Sequence, residues 1–204
     1  MIMTPTTAKP SLRETRRLET RQRVLGAAVA EFKRAGMAEA DVGAIVAAAG
    51  VAHGTFYFHF PTKEHVLFEL ERQAEESAGR ELAKFLQKPH TLEEALNEVV
   101  RVIVAVEQRL GRLLFKDVLA LHFSSNRPLD DEWTDHRVIV LVVQEIERAR
   151  QSGEADADVD PFHSAVYFLL SLYALLTTSR GADQIRTALL DNFVNTALRG
   201  IAAR

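Results

Sequence analysis

No cysteine occurs among the 204 residues, so disulfides, thiolate zinc sites, cysteine-bearing zinc fingers and cysteine nucleophiles are excluded together. A reducing, cytoplasmic setting fits that absence. Glycine and proline are few, at ten and six, and no alternation of apolar and polar residues is long enough to argue for a sheet. The sequence therefore predicts helix throughout. The N-terminal MIMTPTTAKPSLRETRR lacks an apolar h-region, so it is not a secretory signal, and residues 1–13 are expected to form a disordered basic arm. No H-E-x-x-H, G-x-S-x-G or glycine-rich phosphate loop is present, and no strand-turn setting supports a triad. No enzyme, no catalytic residue and no cofactor are expected.

A strong net charge is also missing, but the sum of −3 conceals a division. Residues 1–63 hold nine Lys/Arg against five Asp/Glu, and residues 64–204 hold sixteen against twenty-three. A basic head on an acidic body is the footprint of a protein that presents one end to a polyanion.

What the chain does have is 47% hydrophobic residues, enough for a real core, spaced for nine helices. A first, about 14–35, carries Leu25, Ala28, Val29 and Phe32 inward and stops at Gly36. Asp41 caps a second, with Val42, Ile45, Val46 and Ala49 inward, and His53 to Phe60 forms the third. A longer fourth runs from Thr62 to about Leu86, ahead of Pro89. Thr91 and Glu94 make a capping box for a fifth over about 92–108, and a sixth covers about 110–125. After a loop at 124–128 a seventh runs from about Asp131 to Ser152. Pro161 starts an eighth, to about Ser179, and Gly181 separates it from a ninth over about 182–202.

The most informative stretch is Gly50 to Glu64. Gly50 permits the left-handed backbone that swings one helix into the next, and Val51 can plug the angle between them. Phe56 and Phe60, four apart, anchor the short third helix, so His53, Thr55, Tyr57 and His59 point their donors and acceptors elsewhere. Thr62 can cap the following helix, whose positive end attracts a phosphate, and Lys63 adds a full charge there. Duplex DNA is the partner this pattern points to.

Ala49-Gly50-Val51, Gly54-Thr55-Phe56-Tyr57 and Phe60-Pro61-Thr62-Lys63-Glu64 resemble the head motifs of the TetR family of bacterial transcriptional regulators. The resemblance runs from Arg21 to about Leu70; beyond it only length and the nine-helix plan match. It implies an all-α fold with a helix-turn-helix head over 14–62 and a larger ligand-binding and dimerisation domain over 63–204. It also implies a homodimer whose third helices enter successive major grooves of a palindromic operator. By position, His53, Gly54, Thr55, Tyr57, His59 and Lys63 would fall at the DNA surface, with Asp41 to Gly43 near a phosphate. Several residues depart from the family's usual choice: Asp41 replaces Ser or Thr, Gly43 a polar or basic residue, Val46 Ala, and His53 Lys. More of the phosphate affinity would then rest on Arg13, Arg16, Arg17 and Arg21.

Residues 162–179 contain no Asp, Glu, Lys or Arg, yet His163 and several Ser, Thr and Tyr make the segment short and polar for a bilayer span. No membrane partner is expected. A helix apolar all round is instead expected to bury one side against its own domain and the other against a second subunit. The expected interface is Val166, Leu169, Leu170 and Tyr173 in the eighth helix, with Leu189, Leu190, Phe193, Val194 and Ala197 in the ninth.

Phe85, Phe115, Phe123, Trp133, Tyr167 and Phe168 are core residues first, but His122, Gln144, Ser171 and Tyr173 set polar groups among them. Those aromatics, with His122 as polar anchor, are the expected lining for a small apolar or aromatic ligand. No metal is expected. His53, His59 and His65 recur every six residues across a turn, and Glu132 with His136, flanked by Asp131 and Asp135, reads as an exposed charged turn. The expected function is a repressor released from its operator by that ligand. Two other readings are a DNA-binding activator or architectural factor without an inducer, and a helical ligand carrier or enzyme with a vestigial DNA head.

Overall fold

The computed structural model describes residues 11–124, 136–179 and 183–203. Trp133, Asp131, Glu132, Asp135 and most of the expected arm lie outside them. The described residues form nine helices: α1 Leu12–Glu39, α2 Val42–Ala49, α3 His53–His59, α4 Lys63–Leu86, α5 Leu92–Leu110, α6 Arg112–His122, α7 Arg137–Ser152, α8 Pro161–Thr178 and α9 Asp183–Ile201. Two compact units divide the chain, Met1–Val66 and Leu67–Arg204. The division falls inside α4, where no glycine or proline marks it.

In the first unit α1 begins two residues before the spacing predicts, because the Ser11 hydroxyl accepts the Glu14 N–H and caps it. Arg13 is thus the second residue of a helix. Gly36, at φ 80°, breaks α1 near its end. The buried stripe is Val24, Leu25, Ala28, Glu31 and Phe32, a cleaner helical period than the one that included Val29, which is half-buried. Ile45, Val46, Ala49, Phe56, Phe60 and Val66 complete this small core. Each fully buried Ile or Phe contributes about 1.5–3 kcal/mol, so Phe56 and Phe60 decide how α3 is seated.

In the second unit α5 is the centre, packing against α6, α7, α8 and α9. Its capping box is present: Glu94 N–H donates to the Thr91 hydroxyl, and Thr91 N–H donates to the Glu94 carboxylate at 2.8 Å. Glu107, buried on α5, is answered by Arg186 of α9. The chain end is tied down by an antiparallel bridge between Ala155 and Ala202, with Asp156 N–H donating to the Ile201 carbonyl at 2.9 Å. The seventh helix starts at Arg137, later than expected; His136 before it is extended, at φ −90° and ψ 96°. That places His136 in a connection, with its imidazole half-buried.

Candidate functional site

The head presents α3 through a local chain of causes. Gly50 ends α2 in the left-handed region, at φ 63° and ψ 42°, and Val51 N–H returns to the Val46 carbonyl at 3.1 Å. A Cβ at Gly50 would meet nothing within 4 Å, so its backbone conformation alone favours glycine there. The chain then bends by 96° from α2 into α3. Phe56 and Phe60 are fully buried, which turns the remaining residues of α3 outward.

His53 and Gly54 are exposed, Thr55 and His59 half-buried, and Tyr57 is 47% exposed. The rings of His53 and Tyr57 lie 5.5 Å apart. Phe58, at 70%, is the most exposed aromatic of α3. Sequence reasoning missed it because its apolar type reads as core; its place off the Phe56–Phe60 stripe was the signal.

Arg13, Arg16 and Arg17 are exposed along α1, while the Arg21 guanidinium sits 4.3 Å from the centroid of the Phe60 ring. Burial and the charges of Arg21 and Arg17 together lower the His59 pKa from 6.5. That shift favours the neutral imidazole of His59, near the Arg21 and Arg17 charges. The structure brings α1 arginines to the end of α3.

Two expected DNA residues are engaged within the head. Asp41 caps α2 by accepting the N–H of Gly43 at 2.9 Å and of Ala44 at 3.2 Å. Its carboxylate occupies the donors that a phosphate would use. Lys63, expected to face a phosphate, donates from Nζ to the carbonyls of Ala38 at 2.9 Å and Ala40 at 3.3 Å. Those carbonyls follow the break at Gly36, and an ammonium is the natural partner for them.

Within the second unit a cavity of about 310 Å³ is lined by Glu75, His122, Phe123, His136, Val138, Ile139, Val166, Leu169, Leu170 and Tyr173. A smaller one of about 50 Å³ includes Glu71, Glu75, Phe115, His122 and Tyr173 in its wall. Of the residues expected to line a pocket, His122 and Phe123 line the larger and Phe115 the smaller. Phe85 instead meets the His90 ring at 5.7 Å, Phe168 packs on Phe193 at 4.8 Å, and Tyr167 is exposed.

The expected dimer face is redistributed too. Val166, Leu169, Leu170 and Tyr173 wall the cavity, and Leu169 and Val194 are buried within the chain itself. Leu190, Phe193 and Ala197 are half-buried, whereas Tyr167, Leu170, Ile185 and Leu189 are exposed. An all-apolar helix shows no polar stripe from which its outer face could be read.

The polar side of the cavity was missed except for His122 and Tyr173. Glu71 Oε1 and His122 Nδ1 are 2.5 Å apart. Glu75 accepts the Val138 N–H at 2.8 Å, and burial raises its pKa against the pull of that bond and of His136 and His122. Burial also raises the Tyr173 phenol, with Glu75 and Glu71 adding to it. The available signal was an acidic pair, Glu71 and Glu75, four apart on the same side of α4 as Leu67, Leu70, Ala74 and Ala78.

A family model described as "Bacterial regulatory proteins, tetR family" matches residues 24–70, the stretch holding the turn and α3. The HTH-type transcriptional regulator AcrR of Shigella flexneri is 37% identical over 103 residues, 48% of this chain; the chain spans about half of that relative, 47%. The HTH-type transcriptional regulator UidR of Escherichia coli K12 is 25% identical over 190 residues, covering 92% of this chain and 95% of the relative. Among solved structures, the transcriptional regulator FadR from Bacillus subtilis, in complex with stearoyl-CoA, superposes with a TM-score of 0.72 at 21% identity, covering 88% of this chain and 98% of that one. That likeness shows the fold, while the head matches at the level of its motif. Over residues 24–70 the chain is similar to the bacterial regulatory proteins of the TetR family, and its fold as a whole is that of the solved transcriptional regulator FadR.

Proposed function

We propose that the protein is a homodimeric repressor that reads duplex DNA with α3 and lets go when a small molecule fills the body cavity. The observation that carries the reading is the division of α3: Phe56 and Phe60 are buried, His53, Tyr57 and Phe58 are exposed, and His59 at its end lies near the Arg17 and Arg21 charges. A two-fold dimer presents two such helices, so the operator is palindromic, with half-site centres about one helical turn apart.

The cavity of about 310 Å³ is at the lower end of the range for ligand pockets and suits a compact, mostly apolar molecule. It is too small for a whole acyl-CoA of the kind bound to the FadR relative. The coupling would run along α4, which starts with Lys63 in the head and carries Glu71 and Glu75 in the cavity walls. To drive the population from 99:1 bound to 1:99, the ligand must favour the released form by about 5.5 kcal/mol. A buried ligand can supply that; a surface contact cannot.

The reading is tested by selecting bound fragments from genomic DNA and titrating the wild type and Tyr57→Ala against the selected site. The substitution should cost about 1–3 kcal/mol of specific binding and leave weak non-specific binding unchanged. Full operator affinity in Tyr57→Ala, or no selectable site, would show that α3 is not the reader.

A further inference from the structure

Three chain segments far apart in sequence converge on one point of the body. Glu71 lies on α4, His122 is the last residue of α6, and His136 immediately precedes α7. One ligand atom from each lies within 4.8 Å of the other two, and all three side chains are partly buried. Both imidazoles line the larger cavity, and Glu71 with His122 lines the smaller one, so the cluster stands where the two spaces meet.

The chemistry of the set is specific. Two imidazoles, borderline donors, and one carboxylate, a hard oxygen donor, make a set suited to zinc and its neighbours, and three protein ligands leave a fourth position open. Donor atoms around a tetrahedral ion with bonds of about 2.0–2.1 Å lie roughly 3.3 Å apart. The present separations, from 2.5 Å between Glu71 Oε1 and His122 Nδ1 up to the 4.8 Å limit, bracket that value. A salt bridge between Glu71 and His122 requires no second imidazole; His136 brings one from a separate segment. Glu75 adds a neighbouring carboxylate and, by accepting the Val138 N–H, fixes the backbone two residues after His136.

We propose that Glu71, His122 and His136 bind one divalent transition-metal ion of the zinc class, with the fourth position open to the larger cavity. Water fills that position, or an oxygen donor of a cavity ligand such as a carboxylate, phenolate or enolate. The site stands on its own geometry, whether or not the cavity controls DNA binding.

The test uses the full chain without a histidine tag, stripped with a chelator and titrated with Co²⁺ as a spectroscopic substitute for Zn²⁺. One Co²⁺ per chain should bind with visible bands of a four-coordinate ion, and Zn²⁺ should displace it. His122→Ala, His136→Ala and Glu71→Gln should each lower affinity by more than about tenfold. His163→Ala, on an exposed residue outside the cluster, should bind as the wild type does. Far-UV circular dichroism verifies folding of each variant; should His122→Ala not fold, His136→Asn, in the connection before α7, decides. Absence of saturable binding, or bands that survive loss of either histidine, would overturn the site.

Discussion

Asp41 is the residue at which helix capping and anion binding compete. As a cap it satisfies two amides of α2, an arrangement worth about 1 kcal/mol over alanine, but it sets a full negative charge where the family resemblance implies a phosphate. Two like charges about 6 Å apart in water repel by about 0.7 kcal/mol, roughly threefold in affinity for each half-site. Asp41→Asn keeps an acceptor for the same amides and removes the charge. Its operator affinity should rise by about threefold per half-site at low salt and converge on the wild type at high salt, with the melting temperature little changed. Anisotropy titrations over a salt series measure this, and unchanged affinity at low salt would mean that no phosphate approaches α2. The capping role of Asp41 was legible in the sequence, since Asp before an apolar run is a start signal. The engagement of Lys63 was not, because the carbonyls it meets depend on a backbone break at Gly36.

Between elements, Glu31 joins α1 to α2. Its carboxylate accepts two bonds from Arg34, at 2.6 and 2.8 Å, and one from the Asp41 N–H at 3.2 Å. Those bonds, that from Arg34 foremost, lower its pKa from 4.5 to about 2. A pKa depressed by folding adds stability above the unfolded value, and that contribution is lost as pH falls from 4.5 towards about 2. Amide exchange in α2 should therefore show the wild-type head losing protection over that interval faster than Glu31→Gln, with the two converging at the acid end. Parallel curves would mean that Glu31 does not link the helices. Helix spans were largely readable from spacing and caps, as with Thr91 and Glu94. Contacts between elements were less so: Glu31 reads as a surface residue of α1, and Glu71, His122 and His136 meet only after α4, α6 and α7 have packed.

At the scale of the molecule, α8 and α9 leave large apolar side chains in solvent. α8 is long and apolar enough to cross a membrane, yet only 28% of it is buried in its own chain. Tyr167 is 64% and Ile185 68% exposed, with Leu170 and Leu189 also outward. A second copy of the same face would cover them by two-fold symmetry, the commonest way a soluble chain covers such a patch. Phe193 and Leu190 are poor positions to test this, since both are half-buried and a charge there would disturb the fold of one subunit as well. Tyr167→Glu and Ile185→Glu change residues already in water in the isolated chain, so folding should persist while association fails. Sedimentation equilibrium at micromolar concentration should show a wild-type dimer and monomeric variants with unaltered circular dichroism. Because joining two half-site readers makes the second contact intramolecular, at an effective concentration on the order of millimolar, the monomers should bind the operator about 10²–10⁴-fold more weakly. A monomeric wild type, or variants that stay dimeric, would place the subunit contact elsewhere. Variants that are monomeric yet hold the operator as tightly as the wild type would remove the need for a palindrome.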